Sequence, residues 1–287
     1  MKFDYKQIKA SARESMSLTS PKFWVVALVY ILMTTGVSVA VSVILIPPLS
    51  NDTMSSSTPI FFNILFSLYA CVVSFGYHLW SLWSHRRLNP GLGTLCQGFS
   101  ISGRVILMNL FIFLRGFGWI LLGFIGAFPL LSIPSVPVNL VVSAILYILF
   151  FIIMLRYEMA PYLLADHPDD GPGNAVRRSV ALMRGNLWAL FRLHLSFILW
   201  YLLNFLVTSV VMYIFIMKYQ IFTGPVTTYT LMNLVAIINS LPFMLAVNLV
   251  LLPLNVFRIP YVSIAQASFY DKLLTATPNE HSQIPPL

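Results

Sequence analysis

Leu195 to Met217 reads LSFILWYLLNFLVTSVVMYIFIM, an apolar stretch with no Asp, Glu, Lys or Arg. About 20 such residues, each rising about 1.5 Å in a helix, cover a hydrocarbon core roughly 30 Å thick, so the stretch predicts a membrane-spanning helix. Five further runs qualify on the same criterion: Phe23 to Ile46, Ile60 to Trp83, Val105 to Leu131, Val138 to Leu155 and Tyr229 to Leu252. The six share one formal charge, Arg115. Strands of a membrane barrel are about 10 residues long and alternate in polarity, which these runs do not. The expected fold class is therefore all-α, a polytopic membrane helical bundle of six transmembrane helices.

Composition agrees with that reading. Of 287 residues, 58% are hydrophobic and 9% charged, with a mean hydropathy of +0.83. A soluble domain carries about 25% charged residues, so no room is left for a separate one. The predicted organisation is an interfacial N-terminal segment at 1–22, a membrane domain at 23–274 and a flexible C-terminal tail at 275–287. Residues 1–22 hold Lys2, Asp4, Lys6, Lys9, Arg13 and Glu14 and no apolar core. A cleavable leader is thus not expected, and the first span is its own targeting signal. Ile8, Ala12 and Met16 give this segment an apolar face that is expected to rest on the membrane interface. Ser20 and Pro21 read as the cap and first residue of span one.

Lys and Arg fix the expected orientation. With both termini cytoplasmic, 15 of the 17 fall in inner segments, leaving Arg115 within span three and Lys218 outside. The net charge of +8 is then spread over membrane edges, where anionic headgroups at the inner leaflet are the expected partners, and nucleic acid is not. Neither Cys71 nor Cys96 suggests a disulfide or thiolate site.

The inner connection from Arg156 to His194 is the most legible polar element. Turn residues from Ala165 to Asn174 precede Val176, Val180, Met183 and Leu187, which recur at helical spacing while Arg177, Arg178 and Arg184 lie off that line. A short cytoplasmic amphipathic helix is expected over about 174–185, capped by Asn174, lying flat on the leaflet with its three arginines on anionic lipid or a partner. Asp166, His167, Asp169 and Asp170 read as part of a capped turn, with a metal or phosphate site as the sharper alternative. No metal or other cofactor is expected.

The stretch from Tyr157 to Pro168, with Arg178-Ser179, Leu182 to Asn186, Leu190 to Phe197 and Trp200, resembles the bacterial integral-membrane family known as domain of unknown function 975. Gly76-Tyr77, Gly98-Phe99, Pro260-Tyr261 and Ala267 to Tyr270 extend the resemblance over nearly the whole chain. It implies a six-span protein of the bacterial cytoplasmic membrane and implies no reaction.

Chemistry-bearing motifs are scarce. No phosphate loop, dinucleotide fingerprint, zinc-protease or nucleophile-elbow pattern occurs, and all nine acidic residues fall outside the six spans, so neither an enzyme nor a carboxylate-coupled carrier is expected. Polar stripes remain. Asn63, Ser67, Ser74, His78 and Ser81 lie within about 60° on span two, taking about 100° per residue. Asn233, Ser240, Asn248 and Asn255 share a face of span six, which Pro242 and Pro253 are expected to interrupt; Tyr201, Asn204 and Thr208 mark span five.

Arg115 stands about ten residues inside span three, where Arg costs about 2.5–3.5 kcal/mol, so something must repay it: Glu158, the asparagines, a lipid phosphate or an anionic solute. The candidate cleft, formed by spans two, three, five and six, thus comprises Arg115, Asn63, His78, Asn204, Asn233 and Asn248, and would bind or pass a small or amphipathic solute. The alternative is an accessory protein docking a partner or anionic lipid through Arg177, Arg178 and Arg184. Glycines around Arg115 slim span three for close packing against a neighbouring helix or a second copy of the chain.

Overall fold

Asp4 opens the first helix: its carboxylate accepts from the amides of Lys6 at 2.9 Å and Gln7 at 3.3 Å, satisfying two orphan donors. The structure is a computed structural model that describes residues 4–45, 57–131, 136–221, 228–238 and 240–276. Helix α1 spans Tyr5–Leu18. Helix α2, Phe23–Ile31, passes through a wide π turn at Leu32–Gly36 into α3, Val37–Leu45. Helix α4 runs Ser57–His85, α5 is the short turn Thr94–Gln97, and α6 runs Ser102–Leu131. Helices α7, Val136–Met154, α8, Ala160–Asp166, α9, Pro172–Leu182, α10, Leu187–Leu195, and α11, Ile198–Lys218, follow. Helix α12, Thr228–Ile238, precedes α13, Leu241–Ala276. No strand occurs among the described residues.

Among the described residues, five helical stretches are long and apolar enough to cross a membrane: Phe23–Ser42, Phe61–His85, Thr94–Pro129, Ile198–Lys218 and Leu241–Ala276; Val138–Met154 is a shorter apolar rod. The protein is a multi-pass membrane protein by that measure. The sixth run is not one helix from Tyr229 to Leu252. It breaks beside Pro242, whereas Pro253 and Pro260 sit inside an uninterrupted α13. Of the expected tail, Thr275 and Ala276 still belong to α13, and 277–287 lie outside the described residues.

Packing divides the molecule into two storeys. In one, large apolar side chains such as Leu122, Ile125, Leu199, Phe205 and Leu249 stand exposed. Acyl chains are as apolar as leucine, so these residues gain nothing from burial and lose nothing by facing lipid. In the other storey, Trp80, Tyr162, Phe197 and Tyr270 are fully buried in one continuous core. That core joins the end of α4, the start of α6, helices α8 to α10, the last half of α13 and α1.

The two amphipathic segments therefore have different partners from those expected. Ile8 and Ala12 of α1 pack on α13 instead of lying on the interface. Helix α9 starts at Pro172, capped by Gly171 at φ +82, and not at Asn174, whose amide donates to the Asp170 carbonyl at 2.7 Å. Proline favours the first helical position because its missing N–H is not needed there. The apolar face of α9, Ala175, Val176 and Leu182, is buried against α6 and α8, so it caps the bundle and does not lie flat on a leaflet. Span one begins at Phe23, two residues after Pro21.

Candidate functional site

The π turn widens the helix after Ile31, and Thr34 donates to the Tyr30 carbonyl at 2.8 Å. Such bulges re-aim side chains and are frequent at functional sites. Here Tyr30, Thr34, Thr35 and Ser38 line a cleft of about 740 Å³ with Ser67, Cys71, Ser74 and His78 of α4, Asn109 of α6 and Asn248 of α13. Two of the sequence candidates, His78 and Asn248, meet there together with the serines of the span-two stripe. His78 Nδ1 lies 2.7 Å from the Ser74 carbonyl, which favours a proton on that nitrogen and leaves Nε2 as acceptor. The amides of Asn109 and Asn248 donate to Val105 and Met244 carbonyls at 2.9 and 2.8 Å, leaving their oxygens for a ligand.

The other candidates go elsewhere. Asn204 on α11 donates to Asn255 at 3.1 Å, and Arg258 donates to the same oxygen at 3.2 Å, so the span-five stripe serves as a helix-to-helix bond. Asn63 and Asn233 do not line the cleft. Span one replaces span five as a wall, and its signal was the polar run Thr34-Thr35-Gly36 with Ser38.

Tyr30 and His78 also border a second chamber of about 190 Å³, lined by Tyr77, Tyr201, Arg258, Ser263 and Gln266. The Tyr77 hydroxyl is buried there with no hydrogen-bond partner among the described residues. An unmade bond of that kind costs about 1–3 kcal/mol unless whatever fills the chamber supplies it.

Behind the chamber, Gln266 donates to Glu158 at 2.6 Å and His194 Nε2 lies 2.7 Å from the same carboxylate oxygen. Glu158 is thus engaged by His194 and Gln266, and Arg115 is not its partner. Burial works against the His194 charge, yet the hydrogen bond and negative charge of Glu158 raise its pKa above the usual value. His194 therefore binds its proton more tightly folded than unfolded. Its contribution is full below about pH 6.5 and is lost as pH rises through the elevated folded value. Thermal unfolding in detergent should show that slope, and H194Q should flatten it; an equal slope in H194Q would remove the pair from the account.

The inner carboxylates diverge. Asp166 pairs with Arg86 at 2.6 Å, Asp169 with Arg104 at 3.2 Å, and Asp170 with Arg178. The sharper reading of that turn as a metal or phosphate site loses its ligands to three separate arginines. No group of three metal-ligating residues occurs among the described residues.

Arg115 sits in a third cavity of about 380 Å³ with Arg177, Tyr157 and Trp119. Gly116 faces Met154, the last residue of α7, so Arg115 is level with the end of that rod, and of the preceding part of α6 one face, with Val105 and Met108, packs on the core. Arg184 is exposed, beyond the end of α9, and does not line this cavity.

Neither a curated protein nor a solved structure matches the chain. The family model described as a protein of unknown function, DUF975, matches residues 1–277, and the chain belongs to that family.

Proposed function

We propose that the protein is a non-enzymatic, six-span protein of a bacterial cytoplasmic membrane, both chain ends inside, that binds or passes a small uncharged or amphipathic solute through the polar cleft. Orientation rests on the Lys and Arg bias, with α7 as the short additional span. The observation that carries the solute reading is the cleft itself. It gathers hydroxyls, amides and an imidazole from α2 to α4, α6 and α13 with no charged side chain in its lining, at a depth where unpartnered polar groups are costly. Beyond Tyr30 and His78, the inner chamber with its free Tyr77 hydroxyl offers a polar group of the solute a second station. Of the three arginines of the rival, a docking protein, Arg178 already pairs with Asp170, which leaves Arg177 and Arg184 for a partner or anionic lipid.

Cys71 lines the cleft and Cys96 is exposed, so the C96S chain carries one native reporter. In nanodiscs, Cys71 is expected to react with a small charged methanethiosulfonate. Ala70→Phe, which fills the cleft, should slow that reaction about tenfold, and octyl glucoside below its micelle threshold should slow it in a saturable way. An inert Cys71, or one indifferent to both, would sink the solute reading. A reporter fused after Leu287 tests the orientation and should appear inside.

A further inference from the structure

Arg115 and Arg177 line one cavity, and among the described residues neither makes a hydrogen bond or ion pair. The described carboxylates are all occupied elsewhere: Asp4 by backbone amides, Glu14 by Arg87, Glu158 by His194, Asp166 and Asp271 by Arg86, Asp169 by Arg104 and Asp170 by Arg178. Two guanidiniums facing one space repel unless an anion lies between them, and a planar fork suits phosphate oxygens.

The remaining walls say which anion. Leu114, Trp119 and Leu122 form an apolar side running along α6, all of them exposed to the surroundings of the bundle. At Gly118 a Cβ would meet nothing within 4 Å, so the groove between them is open. Its level, beside the last residue of α7, is where apolar rod gives way to packed storey. A phosphate with a hydrocarbon chain attached fits both halves, and a free phosphate fits only one. Basic pockets at membrane edges and interfacial tryptophans are how bilayer proteins hold acidic lipid headgroups.

We infer that the Arg115–Arg177 cavity binds an anionic phospholipid, its phosphate between the two guanidiniums and an acyl chain along Leu114, Trp119 and Leu122. The site rests on the membrane reading of the fold and is separate from the polar cleft, so it stands whether or not a solute passes there. Arg115 is then stabilised by lipid and not by protein.

The full chain in an uncharged maltoside detergent would be titrated with dihexanoyl phosphatidylglycerol, dihexanoyl phosphatidylcholine and inorganic phosphate, with native mass spectrometry reading the bound species. Saturable binding of the phosphatidylglycerol alone is expected. R115Q and R177Q should each weaken it about tenfold or more, while R184Q, equal in charge loss but off the cavity, should stay within about twofold. If R115Q fails to insert, R177Q carries the test, since Arg177 is half-exposed on α9. Equal losses in R184Q would make the attraction diffuse charge, undiminished binding in R177Q would remove the site, and phosphate binding as tightly as the lipid would make it a free-anion pocket; each overturns the inference.

Discussion

Arg86→Met is expected to lower the stability of the full chain in detergent by about 3 kcal/mol. The guanidinium donates to both oxygens of Asp166, at 2.6 and 2.8 Å, and to Asp271 at 2.6 Å, while Tyr270 adds a bond to Asp166 at 3.0 Å. Those bonds tie the end of α4 to α8 and to α13, three segments far apart in sequence. Hydrogen bonds donated to Asp166, and then to Asp271, push the arginine pKa still higher, so the charge is permanent. Removing it leaves two partly buried carboxylates side by side, and the fully buried figure of about 3–5 kcal/mol is reduced because the three side chains remain 30%, 16% and 24% exposed. The cause is the stranded acids, so the triple variant R86M/D166N/D271N should recover more than half of the loss. Arg86→Lys should recover little, since a point charge cannot serve two carboxylates as a fork does. A loss under about 0.5 kcal/mol in R86M would mean that water already screens the network.

That network shows what hydropathy could and could not reveal. A run such as Ile198 to Met217 reports its solvent, so the apolar storey was legible residue by residue. The other storey is built from segments that read individually as loops, short amphipathic helices and helix ends: residues 5–18, 155–195 and 258–276. Their core forms only when α1 and α4 meet α13, contacts between positions up to hundreds of residues apart that no local period encodes. The same limit explains the prolines. Pro253 and Pro260 each remove one donor, yet α13 continues through both because neighbours hold it on either side. In the cleft, the 100° period found Ser67, Ser74 and His78 correctly on one face of α4. Thr34 and Thr35 join that face from span one, where the π turn widens the helix. The period could not say whether Asn204 faced a cavity or another asparagine. Arg115 reads as ten residues deep because the apolar run of span three begins well before the level at which α7 ends, beside Gly116.

Gly76→Ala is expected to prevent the two inner segments around α4 from closing, with a cost of about 3 kcal/mol or more and loss of folded protein at expression temperature. A Cβ built at Gly76 would lie 2.1 Å from the Leu95 carbonyl oxygen and 2.7 Å from its carbon. Both atoms are backbone, so no rotamer change relieves the clash. The contact is reciprocal: a Cβ at Gly98 would come within 2.5 Å of the Val72 carbonyl oxygen. Two glycines thus let the turn from Thr94 to Ile101 lie directly on the backbone of α4, where Leu95 fills the core. Separating the surfaces by the roughly 1 Å or more needed to seat one methyl would open a gap along Leu95, Val72 and Phe75, forfeiting dispersion contacts on both sides. Gly118→Ala is the matched control: it adds the same methyl to an apolar helix, at a position where nothing lies within 4 Å, and should cost nothing and stabilise by up to about 1 kcal/mol. Unfolding of the two variants and the parent chain in one detergent separates the close approach from the general gain in helix propensity of about 1 kcal/mol that favours alanine over glycine at helical sites. If G76A were as stable as G118A, the turn would not rest on α4 as closely as described, and the continuity of the inner core through Leu95 would fail with it.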